Sequence, residues 1–195
     1  MKTLRHIAPI ALPLALAGCI NLGLGSAKVP PALLTLTPAH APADGMTASG
    51  RPDRALTVME PVAEARLAVV RVPVTVDASR VAYLRGAQWV ERPSRLFQHL
   101  LSETLRARDK RLVIEGDSVA HGPTLGGRLI DFGYDAGSRA AVVRFDATRT
   151  QDDGTIATRR FEASVPGVAP DANAVGHALN DAANQVAGAV ADWMG

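Results

Sequence analysis

Cysteine is almost absent from this chain: 195 residues hold one, Cys19. No disulfide can form within it, and a zinc site built on several thiolates is excluded. Aromatic residues are scarce, at 4% of the sequence, so each carries a large share of whatever core forms. No charge of one sign dominates either. The 21 Lys and Arg face 19 Asp and Glu, and two of the basic residues, Lys2 and Arg5, precede Cys19. From Cys19 onward the chain is formally neutral, which removes the electrostatic case for nucleic acid as a partner. The apolar run Ile7–Ala17 covers eleven residues, short of the roughly 20 that a membrane-spanning helix needs. There is no internal repeat, no heptad series, and no G-x-x-x-x-G-K-[ST] phosphate loop, so the chain is not itself a P-loop ATPase.

What is present begins with Leu16-Ala17-Gly18-Cys19, set behind Lys2, Arg5, His6 and the short apolar run. This is a secretory signal ending in a lipobox. It predicts a signal peptide over 1–18, diacylglyceryl transfer to the Cys19 thiol, cleavage after Gly18, and acylation of the new amino group. A covalent diacylglycerol and an N-acyl lipid on Cys19 are then the expected attachments, with no other cofactor. Each buried methylene contributes about 0.8 kcal/mol, and two or more chains give stable anchoring where one does not. Ile20 stands where an Asp would signal inner-membrane retention, so the expected location is the outer membrane, facing the periplasm. Residues 19–32, with Gly23, Gly25, Ser26, Pro30 and Pro31, read as a flexible tether. Residues 33–195 are enough for one domain with a core of its own.

Along that domain, Leu33–Thr37 is a short β-like run ended by Pro38, and 38–53 reads as a mobile loop rich in Ala, Pro and Gly. Strands are expected at Leu56–Met59, Leu67–Val72 and Val74–Val76, with Pro73 marking an edge or a bend. Val81–Leu84 and Gln88–Val90 flank Arg85-Gly86-Ala87, which predicts a hairpin. Pro93 opens a helix over 93–108 whose Leu96, Phe97, Leu100, Leu101 and Leu105 share one face, with Arg95, Gln98, Ser102, Arg106 and Arg108 off it. A short strand at Leu112–Ile114 and a glycine-rich loop over 116–127 follow. Arg128–Asp135, Arg139–Arg149 and Thr155–Val165 alternate apolar and polar residues, and the last two are joined by Asp152-Asp153-Gly154. They predict an antiparallel three-stranded meander. Asp171 caps a final helix over 171–194, with Val175, Leu179, Ala182, Val186, Val190 and Trp193 as its buried stripe. The expected class is α+β: an antiparallel sheet, including the C-terminal meander, packed by two main helices.

Candidate chemistry is sparse. Gly116-Asp117-Ser118-Val119 with Gly122 looks like the first block of the GDSL esterases, which would make Ser118 a nucleophile needing an oriented base and oxyanion donors. The Asp-x-x-His of that family is missing, because Ala174 stands three residues before His177, and the expected reading is a Gly-Asp-Ser turn. His40, His99, His121 and His177 are scattered without ligand spacing, so no metal site is expected. Asp152 and Asp153 form a turn tip rather than a catalytic pair. Tyr83 and Trp89 suit strand anchors of the core. With Arg85 and Arg92 they are also the candidate contacts for a partner or lipid, since aromatic and arginine side chains dominate binding hot spots.

Tyr83-Leu84-Arg85-Gly86-Ala87-Gln88-Trp89-Val90-Glu91-Arg92-Pro93, followed by Leu96, Leu100 and Leu105, resembles the ABC-type transport auxiliary lipoproteins, the PqiC-like components of Mce/Mla-type lipid transport systems. The order of lipobox, early strand ending in Thr37-Pro38, Tyr–Trp–Pro block, leucine-rich helix, hairpin sheet and last helix matches over nearly the whole chain after Cys19. Leu33 and Leu34 depart from the family in lacking aromatic residues there. The resemblance implies a non-enzymatic α+β subunit at the periplasmic face of the outer membrane. It would associate with a periplasmic MCE-domain protein, with permease and ATPase as separate chains, and would help carry phospholipid or related lipids between membranes. The alternatives are a GDSL-like lipoprotein esterase using Ser118 and a structural lipoprotein of outer-membrane assembly.

Overall fold

A computed structural model of the chain describes residues 32–108, 111–116 and 122–195. Gly18, Cys19 and the rest of the chain up to residue 31 lie outside the described residues, as do Ser118 and His121. Eight strands and two long helices follow in the order β1 (Leu56–Met59), β2 (Val62–Ala63), β3 (Arg71–Thr75), β4 (Val81–Gln88), α1 (Pro93–Arg108), β5 (Val113–Gly116), β6 (Thr124–Asp135), β7 (Ala140–Thr150), β8 (Ile156–Val165) and α2 (Ala172–Met194).

The sheet is organised on β6. Along one edge β7 pairs with it antiparallel over its whole length, and β8 continues the meander. Along its other edge β1, β2 and β3 pair with it in turn, all parallel. β5 lies parallel to β1, and β4 antiparallel to β3. The sheet is therefore mixed, not antiparallel throughout. Four- and five-residue strands carry too little pattern to state their direction, and here each returns to the same edge of β6. The meander stands as expected. Asp135 Oδ1 accepts from the Ser138 amide at 2.7 Å in its first turn, and Gly154 takes a φ of 81° in the second, where a left-handed backbone favours glycine. β6 starts earlier than its alternation suggests, passing through Gly126 and Gly127. A Cβ on Gly127 would lie 2.0 Å from the Asp146 carbonyl oxygen, so only glycine lets β7 approach there.

The hairpin expected at Arg85–Ala87 is not formed. β4 runs unbroken through Gly86, whose φ of 72° serves a bulge rather than a turn. The register passes from Pro73↔Tyr83 to Arg71↔Gln88 across it. The hairpin is instead β3–β4, turned at Asp77, whose Oδ1 accepts from the Ser79 and Arg80 amides at 3.0 and 2.9 Å. Leu67 belongs to a 3-10 turn over Ala65–Leu67, not to a strand, and β3 begins at Arg71 and passes through Pro73 at the register shift.

Both helices pack on one face of the sheet. Phe97 of α1 meets Phe132 and Phe145 edge-on at 6.2 and 5.3 Å, and Trp89 meets Phe132 at 5.5 Å. Four of the few aromatics thus form one contiguous chain, in the geometry their ring quadrupoles favour. The leucine stripe of α1 is buried as expected, but Gln98 and Ser102 are buried too. Gln98 Nε2 donates to the Val58 carbonyl at 2.9 Å, so a second face of α1 closes on β1. In α2, Asp171 caps the first turn by accepting from the Ala174 amide at 2.9 Å.

The run at Leu33–Thr37 is not a full strand. Leu34 makes one parallel bridge to Trp89, and the chain then lies along α2 as a strap. Gly176, Asn180 and Asn184 fall at every fourth position of α2 and face it. Leu34 fills the space over Gly176, where a Cβ would come within 2.6 Å of its Cδ2. The Thr37 amide donates to Asn180 Oδ1 at 2.8 Å and the Ala39 amide to Asn184 Oδ1 at 2.7 Å, while Asn184 Nδ2 donates back to the Thr37 carbonyl. Residues 38–53 contain no helix or strand.

Candidate functional site

The residues singled out in the Tyr–Trp–Pro block do not gather on one surface. Trp89 is 1% exposed and belongs to the aromatic core, so its ring is not a surface contact. Tyr83, half-buried on β4, lies under the Arg71 guanidinium, 3.8 Å from the ring centroid. Arg85 is exposed on β4, and Arg92 is exposed at the head of α1, 3.4 Å from Glu60. The block is mostly architecture. It turns the chain from β4 into α1 and inserts Trp89 beneath the turn.

A crevice opens where β1 ends and α1 begins. A cavity of about 380 Å³ is lined by Met59, Glu60, Pro61, Val62, Ala63, Ala68, Arg92 and Ser94. A second, of about 460 Å³, is lined by Glu60, Val70, Glu91, Arg92 and Arg95 and shares Glu60 and Arg92 with it. Glu60 is the hub. It accepts from Ser94 Oγ at 2.6 Å and lies 3.4 and 3.9 Å from the Arg92 and Arg95 guanidiniums. The first turn of α1 has no acid of its own, so Glu60 supplies the negative charge that a helix N-terminus favours. With its carboxylate engaged three ways, by the Ser94 hydroxyl and two guanidiniums, this group holds the start of α1 against the end of β1. The crevice walls combine apolar side chains, among them Met59, Val62 and Val70, with the charged Glu60, Glu91, Arg92 and Arg95. In sequence, Glu60 stands only as the residue after the strand expected at Leu56–Met59. The signal that could have found it is a lone acid just before a proline, with an acid-free helix start downstream.

Beyond the crevice, His99 Nδ1 lies 2.7 Å from Glu115 and its Nε2 3.7 Å from Glu91. Arg106 approaches Glu115 at 3.7 Å. No group of three or more metal-ligating side chains occurs among the described residues. His40 and His177 are exposed, and Asp153 serves its turn by accepting from the Thr155 amide at 2.8 Å, which holds its carboxyl below the usual range.

The face of the meander turned away from the helices is a checkerboard of charge. In one row Asp131, Arg144 and Glu162 stand directly opposite each other across β6, β7 and β8, and in the neighbouring row Arg128, Asp146 and Arg160 do the same. Arg144 Nε meets Glu162 at 2.7 Å, and Arg160 grips Asp146 at 2.6 and 2.7 Å. These arginines hold the Glu162 and Asp146 carboxyls below their ordinary values. Asp131 goes the other way. Burial pushes it up, against the pull of Arg66 and Arg144. The face neutralises itself in register, as opposite charges on paired strands do.

Known proteins share this architecture. The family of ABC-type transport auxiliary lipoprotein components matches residues 34–191, and the chain belongs to it. Membership assigns a transport-associated role in the cell envelope. A solved DUF330-family protein from Xanthomonas campestris is similar in fold, with 20% identity, a TM-score of 0.68, and 84% of this chain and 94% of that one covered. An uncharacterized protein of known structure is similar at 14% identity and a TM-score of 0.65, covering 76% of this chain and 97% of its own. Among curated proteins none matches.

Proposed function

We propose that the chain is a non-enzymatic lipoprotein, acylated on Cys19 and held at the periplasmic face of the outer membrane. It serves an MCE-type ABC system that moves phospholipid or related lipids between the inner and outer membranes. It binds the periplasmic MCE-domain protein of that system, while permease and ATPase are separate chains. The observation that carries this reading is the family match over residues 34–191. It begins at Leu34, where backbone bonds to Gln88 and Val90 first tie the chain into the domain. The lipobox ending at Cys19 lies just upstream.

Affinity purification of the tagged lipoprotein from mildly cross-linked envelopes, read by mass spectrometry, tests the partner. Recovery of an MCE-domain protein with its permease and ATPase is the expected result. Recovery of an outer-membrane β-barrel alone would replace this reading with one in envelope assembly. Cys19→Ala is expected to abolish fatty-acid labelling and leave the precursor uncleaved; label persisting in the variant would refute the acylation. An assay on generic acyl esters is expected to show no turnover that Ser118→Ala removes.

A further inference from the structure

We propose that the flank of the domain running from Leu33 past Val90 to Val62 docks on the phospholipid bilayer that carries the anchor. This rests on the acylation of Cys19. Three large apolar side chains stand out on this flank: Leu33 is 45% exposed, Val90 50% and Val62 66%. Leu33 and Val90 are brought together by structure rather than sequence. The Val90 amide donates to the Leu34 carbonyl at 2.9 Å. From Arg92 the surface then continues through the two cavities that share Glu60, and Val62 lines the first of them.

The chain enters the domain on this same flank. Cys19 and Leu33 are 14 residues apart, so the tether reaches at most about 50 Å when fully extended and about 20 Å on average as a random coil. A bilayer holding Cys19 therefore lies within one tether length of Leu33. A short linker keeps its two ends at an effective concentration on the order of millimolar. Exposed valine and leucine side chains that would bind lipid too weakly on a free protein are then populated at the surface.

Charge decides which lipid. Glu60 and Glu91 are balanced by Arg92 and Arg95 around the crevice, so attraction to anionic headgroups contributes little. The contact is with the headgroup–acyl boundary of a zwitterionic bilayer, and it is insensitive to salt. The checkerboard face of the meander, with its strands of in-register ion pairs, carries Ile156 as a single exposed apolar side chain at the start of β8.

The test uses the full acylated chain in phosphatidylethanolamine–phosphatidylcholine vesicles. Once Cys19 is acylated, Val62→Cys, Val90→Cys and Ile156→Cys each supply a single thiol for an environment-sensitive fluorophore. Ile156 is as exposed as Val62, at 67%, but starts β8 on the opposite edge of the sheet. Intact mass establishes acylation, and circular dichroism melts establish that each labelled chain is folded. Blue-shifted emission with several-fold stronger quenching by spin-labelled lipid at positions 62 and 90 than at 156, unchanged by added salt, is the expected result. An acylated chain whose probes at 62 and 90 stay as aqueous as the one at 156 overturns the docking face while leaving the anchor intact, and frees this flank for a protein partner. Equal quenching at all three positions overturns it as well. A mass without lipid overturns the anchor, and the docking face falls with it.

Discussion

Replacing Gln98 by Leu would leave the Val58 carbonyl without its side-chain donor in a place closed to water. A hydrogen bond of this kind contributes about 0.5–1.5 kcal/mol, and urea melts of Gln98→Leu are expected to show a loss in that range despite the apolar replacement. The role of Gln98 was hidden because helical periodicity sorts residues into one apolar face and a remainder. A polar residue closing a second face on a strand looks, in sequence, like one facing solvent. Glu162 makes a different kind of prediction. Its pKa is lowered by Arg144, so its contribution is present above the ordinary carboxylate range near pH 4 and is lost as pH falls through the lowered value. Both partners are partly exposed, and such a pair contributes about 0.2–1 kcal/mol. Glu162→Gln is expected to lower stability by that amount at pH 7 and to match the parent near pH 2, in thermal melts at the two pH values. Asp131 has the opposite sign. Its raised pKa means that the fold prefers it protonated, so it opposes the acid loss from its neighbours.

Among the elements, the strap along α2 separates local from global stability. Asn180→Ala with Asn184→Ala removes the acceptors of the Thr37 and Ala39 amides. Both bonds are exposed, and each contributes about 0.5–1.5 kcal/mol. Hydrogen exchange at residues 37 and 39 is expected to speed up several-fold in the double variant while exchange in β7 stays slow. Unchanged exchange at 37 and 39 would mean that packing of Leu34 alone holds the strap. The elements were unevenly legible. α1, α2 and the meander span enough turns or alternations for their period to decide, and Pro93, Asp171 and Gly154 mark their limits. β3 and β4 were misread at Gly86, because a glycine between apolar runs fits a turn and a bulge equally. The parallel pairing of β1, β2 and β3 depends on where β6 lies, about which their own residues carry no information. Asn180 and Asn184 are, in sequence, polar residues in an alanine-rich helix with nothing to mark their role. Their partners are more than 140 residues away in sequence.

For the whole molecule, one continuous core spans both helices and the sheet, and Phe97 sits where α1, β6 and β7 meet. Truncation to Ala at such a site costs about 3–5 kcal/mol. Phe97→Ala is expected to lose that much in urea, with far-UV circular dichroism and tryptophan fluorescence moving together, since Trp89 and Trp193 report on the same core. Separate transitions would mean that the β3–β4 arm unfolds independently. The Tyr–Trp–Pro block pointed to the family through residues that build this core, while the crevice at Glu60 went unread because its lining comes from three separate stretches of chain. Beyond stability, the strap has a mechanical consequence. Any pull on the chain ahead of Leu33 enters the domain at Leu34. Drawn parallel to α2, the load spreads in shear over the Trp89 bridge, the Leu34 wedge and the asparagine bonds together. Drawn perpendicular to α2, the same bonds open one after another, like a peeling tape, at a far smaller force. The direction in which the domain is tugged therefore sets how long its tether effectively is.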